Sequence, residues 1–72
     1  MGEVRVELGL DGGQIVRARV VAADADRLES LVAEGRRELV SAACDEGSLV
    51  VDTGRVVYLR RFGEERPVGY SR

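Results

Sequence analysis

A chain of 72 residues holds one small hydrophobic core, and a division into two domains is excluded because neither half could offset the cost of its own ordering. With 44% hydrophobic and 33% charged residues the composition is that of a globular protein, and no apolar run approaches the roughly 20 residues that span a bilayer. All eleven basic residues are Arg, thirteen residues are Asp or Glu, and the net charge of -2 gives no global pull toward nucleic acid or an anionic membrane.

Residues 3 to 10 place Val4, Val6, Leu8 and Leu10 on one parity and charges on the other, the period of a half-buried strand. Asp11-Gly12-Gly13 then tolerates positive φ, and Gln14 to Val21 reads as a second strand with Val16, Ala18 and Val20 on one face. A hairpin follows, and a three-residue loop is expected because it pairs Leu8 with Val16, Val6 with Ala18 and Val4 with Val20; a Gly12-Gly13 loop would set apolar positions against charged ones. The period then changes. Asp24 and Asp26 are N-cap candidates, Asp26 with Glu29 resembles a capping box, and Leu28, Leu31 and Val32 share a helical stripe that Gly35 is placed to end.

Residues 36 to 44 read as strand, although Leu39, Val40, Ala43 and Cys44 also fit a helical stripe. Asp45-Glu46-Gly47 is turn chemistry, and residues 48 to 52 and 55 to 62 are two further strands joined by Asp52-Thr53-Gly54. Residues 63 to 72 form a tail or an edge extension, where Pro67 cannot donate to a sheet ladder and Val68 or Tyr70 could dock. The expected fold is therefore α+β: a small antiparallel sheet in the order β-β-α-β-β-β with one short helix packed on one face, all within a single domain.

The chemistry that is missing bounds the function. With no His in the chain there is no imidazole base, nucleophile partner or metal ligand, and without Lys there is no Schiff base or nucleotide-binding lysine. The single Cys44 can form neither a zinc thiolate set nor an internal disulfide, and suits a reducing compartment as a small buried hydrophobe. The first ten residues lack the apolar core of a secretory signal, so the expected setting is the cytoplasm. No catalytic residue, cofactor or metal is expected, and the chain reads as a non-enzymatic module.

Three short patterns resolve to turns. Asp52-Thr53-Gly54 matches the aspartic-protease triplet, but Arg55 stands where that family has a small residue, and only eighteen residues follow Gly54; it reads as a turn whose Asp caps its own backbone. Gly9-Leu10-Asp11-Gly12-Gly13 is followed by a strand and not by the helix a phosphate loop requires. Asp24-Ala25-Asp26, Asp45-Glu46 and Glu64-Glu65 lack calcium-loop spacing.

The last two strands pose a physical problem. Leu49-Val50-Val51 and Val56-Val57-Tyr58-Leu59 are consecutive apolar runs, which makes both sheet faces apolar there, while one helix covers one face. The expected solution is a homo-oligomer with Val51, Val57 and Leu59 at the subunit contact, the competing solution being a sheet that curls into a small barrel. Arg17 and Arg19 share the outer face of the second strand with Glu3, Arg5 and Glu7 opposite, and most simply form cross-strand ion pairs there. A different function class uses Arg17, Arg19, Tyr58, Arg60, Arg61 and Phe62, where aromatic and guanidinium groups interleave, to bind RNA or DNA as single-strand binders do; the acidic balance and Glu64-Glu65 stand against it.

Asp45-Glu46-Gly47, Leu49-Val50-Val51, Val56-Val57-Tyr58-Leu59, Gly63-Glu64 and Arg66-Pro67-Val68-Gly69-Tyr70 resemble an uncharacterised family of short proteins from high-GC actinobacteria. That resemblance implies a fold of strand pair, acidic-capped helix and closing strands in a cytoplasmic setting, and it implies no mechanism. The chain departs from the family in its longer Asp11-Gly12-Gly13 hairpin and in Val51-Asp52-Thr53-Gly54. Residues 48 to 62 also resemble the closing strands of Sm-like RNA-binding rings, which place their helix before the strands. The favoured reading is a self-associating scaffold or regulatory adaptor whose expected partners are a second copy and another protein, with no membrane, and the nucleic-acid binder is the alternative.

Overall fold

The computed structural model describes residues 2–44 and 47–62. Its elements are β1 (Glu3–Leu10), β2 (Ile15–Val21), α1 (Ala22–Glu34), β3 (Leu39–Cys44), β4 (Gly47–Asp52) and β5 (Val56–Phe62), with 3₁₀ turns at Asp11–Gly13 and Thr53–Arg55. The fold is the expected α+β arrangement, one five-stranded sheet in the order β4-β3-β2-β1-β5. The turn at Asp45-Glu46 and the tail or edge extension of residues 63–72 lie outside the described residues. Among those described, no helix is long and apolar enough to cross a membrane.

The hairpin register follows from burial. Leu8 pairs with Val16, Val6 with Ala18 and Val4 with Val20, so these six apolar positions meet the helix side of the sheet, while Ile15 and Val21 of β2 stay exposed. Gly12 and Gly13 take φ of 85° and 89°, and the Leu10 amide donates to the Gln14 carbonyl at 2.8 Å to close the loop. Of residues 36–44, read as strand, Leu39–Cys44 form it and residues 36–38 do not; Val40 and Ala42 alternate inward against Val51 and Leu49 of β4.

The helix starts earlier than the acidic caps indicate. Val21 is its N-cap without a side-chain bond, and the first amide, on Ala22, donates instead to the Gly2 carbonyl at 3.1 Å. Asp24 and Asp26 are thereby freed for tertiary contacts: Asp24 accepts from the Ala43 amide at 2.9 Å, and Asp26 with Glu29 holds Arg61. At the other end Gly35 adopts φ 70° and its amide caps the last turn, as the sequence predicts. Ala25, Leu28 and Leu31 form the buried stripe and pack on Val4, Val6, Leu8, Val20, Val40 and Val51.

The sheet is strongly coiled. Its two edge strands, β4 and β5, are joined by only the three residues Thr53–Arg55, which is possible only if the sheet curls until its edges approach at one end. Leu8, Leu10 and Val16 accordingly line one 200 Å³ crevice together with Leu49 and Val51 of β4, although β4 is no sheet neighbour of β1 or β2. Thr53 anchors the connection. Its amide donates to the Glu38 carbonyl at 2.9 Å, its hydroxyl donates to the Arg36 carbonyl at 2.7 Å, and the same hydroxyl accepts from the Glu38 amide at 2.8 Å. Asp52 accepts from the Gly54 amide at 3.0 Å, the self-capping turn read from the sequence.

The apolar run in β5 has a local cause. Leu10 pairs with Val56 and Gly9 with Tyr58, so Val57 is an extra residue in a β-bulge and stands exposed. In β4, Leu49 and Val51 turn inward while Val50 turns outward. Consecutive apolar residues here therefore do not make two continuous apolar faces.

Candidate site on the open face of the sheet

The register of β2, β1 and β5 arranges the face away from α1 in rows. Ile15, Gly9 and Tyr58 form the first row, Arg17, Glu7 and Arg60 the second, and Arg19, Arg5 and Phe62 the third. Period-two alternation puts all of them on one side. The second and third rows carry four arginines and one carboxylate, a net +3 patch on a chain whose total charge is -2.

Glu7 is the hub. It is buried, at 6% exposure, and its carboxylate accepts from Arg17 Nε at 3.0 Å through Oε1 and from the Tyr58 hydroxyl at 2.6 Å through Oε2, with Arg60 Nη1 at 3.9 Å. The phenol's hydrogen bond, followed by that of Arg17, holds the Glu7 carboxyl below its ordinary value, and burial opposes them. The same bond to Glu7, reinforced by burial, raises the Tyr58 phenol above its own. Tyr58 reaches this position because residue 9 is glycine. A Cβ there would overlap the ring, with Cζ at 2.6 Å.

Phe62 organises the third row. Its ring centroid lies 5.6 Å from Arg5 Cζ and 4.9 Å from Arg60 Cζ, within cation–π range. Arg5, Glu7, Arg17, Arg19 and Phe62 line a hollow of 490 Å³, a volume in the range of small-molecule sites.

Of the six residues singled out for nucleic-acid contact, Arg17, Arg19, Tyr58, Arg60 and Phe62 share this face. Arg61 does not. One position along β5 from Arg60, it turns to the helix side and holds Asp26 and Glu29, each at 2.8 Å. Of the residues expected at a subunit contact, Val51 lies in the core at 5% exposure, Leu59 is half-buried against it, and Val57 is exposed. Val51 is therefore covered by its own chain. The expected pairing of Arg19 with an acid across the hairpin is also corrected, since Arg19 faces Arg5.

Sequence reasoning missed Arg5 and Glu7 as site members, treating them only as ion-pair partners. Their parity on the first strand was the available signal. Among the described residues, no group of three His, Cys, Asp or Glu side chains is placed to hold a metal ion, and every buried side-chain nitrogen and oxygen has a partner. No family model, curated protein or solved structure matches the chain.

Proposed function

We propose that the protein is a non-enzymatic module that binds single-stranded nucleic acid on the open face of its sheet. The observation that carries this reading is the convergence of Arg5, Arg17, Arg19 and Arg60 with Tyr58 and Phe62 on one face, against an overall negative charge. Guanidinium groups supply phosphate contacts, and aromatic rings beside them supply stacking surface. The test is fluorescence anisotropy of labelled single-stranded RNA and DNA across a salt series. Four phosphate contacts give a log–log salt slope of about -2.8, and Arg19→Glu with Arg60→Glu abolishes the binding. Binding that is insensitive to salt, or that survives the double reversal, refutes the reading.

A second reading, self-association as a scaffold or regulatory adaptor, is supported by the exposed apolar residues of the two sheet edges. Leu39 and Val50 lie on the β3–β4 side and Val57 lies on β5, at 73%, 63% and 68% exposure. Such edges offer both a ladder and an apolar contact to a second copy. Light scattering coupled to size exclusion decides it: a stable multiple of the chain mass supports it, and a monomer at all concentrations removes it.

A further inference from the structure

We infer that Arg5 and Arg19 form a phosphate clamp within the open-face hollow. Of the nine described arginines, Arg17, Arg27, Arg36, Arg37, Arg55, Arg60 and Arg61 each hold a carboxylate. The two that form no ion pair among the described residues are Arg5 and Arg19, and they are direct cross-strand partners. Like charges set directly opposite one another destabilise a sheet, and a shared anion removes that repulsion. Both line the same 490 Å³ hollow, and Phe62 fixes Arg5 from the β5 side at 5.6 Å.

Two carboxylates of β1, Glu3 and Glu7, flank the pair on the same face, and among the described residues neither forms an ion pair with Arg5 or Arg19. Glu7 already accepts from Arg17 and Tyr58, so its charge is engaged one row away. Two guanidinium forks on neighbouring strands match the tetrahedral oxygens of a phosphate better than a planar carboxylate between them. The clamp deepens the strand-binding reading and rests on it for its biological ligand. Its chemistry is that of a phosphate, whether an internal diester of a strand or the monoester of a free nucleotide.

The experiment follows arginine Nε–Hε resonances of the labelled protein during titration with inorganic phosphate, adenosine 5′-monophosphate, adenosine, and an oligonucleotide without terminal phosphate. Arg5 and Arg19 are expected to shift saturably with a phosphate-bearing probe and not with adenosine, while Arg27 and Arg55 stay in place. Saturation by the monophosphate assigns the clamp to free nucleotides, and saturation by the oligonucleotide alone assigns it to the strand backbone. Absence of a saturable shift with every phosphate-bearing probe, or equal shifts at all arginines, overturns it. The paired variant Arg5→Gln with Arg19→Gln removes like charges and is expected to fold, with oligonucleotide affinity at least about tenfold lower and a salt slope shallower by about 0.7, the share of the one phosphate the pair holds. Unchanged strand affinity in that variant refutes the clamp and leaves the strand-binding reading standing; saturable phosphate shifts without any strand binding by the native chain do the reverse.

Discussion

Replacing Thr53 with valine tests whether the three-residue link between β4 and β5 is what keeps the sheet coiled. The side chain is 5% exposed, and its hydroxyl serves both the Glu38 amide at 2.8 Å and the Arg36 carbonyl at 2.7 Å. Valine has the same shape, so packing is preserved while both partners lose their bond. A buried polar group left unpaired costs about 1–3 kcal/mol. The half-buried Glu38 segment bears most of that cost, whereas the exposed Arg36 lies where water can replace the hydroxyl. The expected loss is about 2 kcal/mol, or a fall in Tm of about 8–16 °C for a domain of this size. Thr53→Ser keeps the hydroxyl, loses one methyl and is expected to cost no more than about 1 kcal/mol. Thermal unfolding by far-ultraviolet circular dichroism measures both, and hydrogen exchange at the Glu38 amide reports the local effect. Valine as stable as threonine, or serine worse than valine, refutes the reasoning.

Gly9→Ala drives a methyl into the Tyr58 ring and is expected to destabilise by about 1–3 kcal/mol, with the Tyr58 ring signals moving in the proton spectrum; an unshifted ring counts against the close approach. Arg61→Gln removes the link from β5 to α1 and is expected to cost about 0.5–1 kcal/mol without changing strand affinity. Arg60→Gln is expected to lower strand affinity with little effect on Tm, and equal behaviour of the two variants would refute the assignment of opposite faces. Because the Glu7 carboxyl is depressed from 4.5 in the fold, its contribution is present above that value and is lost as pH falls through the folded value. Because the Tyr58 phenol is raised from 10.0, its contribution is present below that value and is lost as pH rises through the folded value. Glu7→Gln is expected to flatten both limbs of a Tm–pH profile, and limbs of unchanged slope would exclude the pair as their source.

Local chemistry was legible in the residues, and long-range geometry was not. The β1–β2 register followed from parity because a one-residue slip exposes Val4, Val6 and Leu8 together. Gly35 and Asp52 act through bonds within a few residues, so their roles could also be read. The pairing of β1 with β5 joins positions about fifty residues apart, and nothing near Gly9 announces Tyr58. The bulge at Val57 was read as apolarity on both faces, since alternation and its interruption look alike until the partner strand is known. Asp24 and Asp26 misled for a related reason: acidic residues near a helix start suit a cap, yet here α1 begins before them and they serve Ala43 and Arg61. The arginine face was half-visible, because parity gave Arg17 and Arg19 their side, while only the β5 register separates Arg60 from Arg61.

The antiparallel pairing of β1 with β5 also sets how the fold responds to force. Arg5 pairs with Phe62, so the chain enters β1 and leaves β5 at the same end of the sheet. Tension applied between Glu3 and Phe62 therefore peels β5 away one hydrogen bond at a time, beginning at Phe62 and running toward the bulge. Shearing, which would load all the bonds together, does not occur in this geometry. The first groups released are Phe62 and Arg60, so a pulled molecule gives up its charged face before its hydrophobic core.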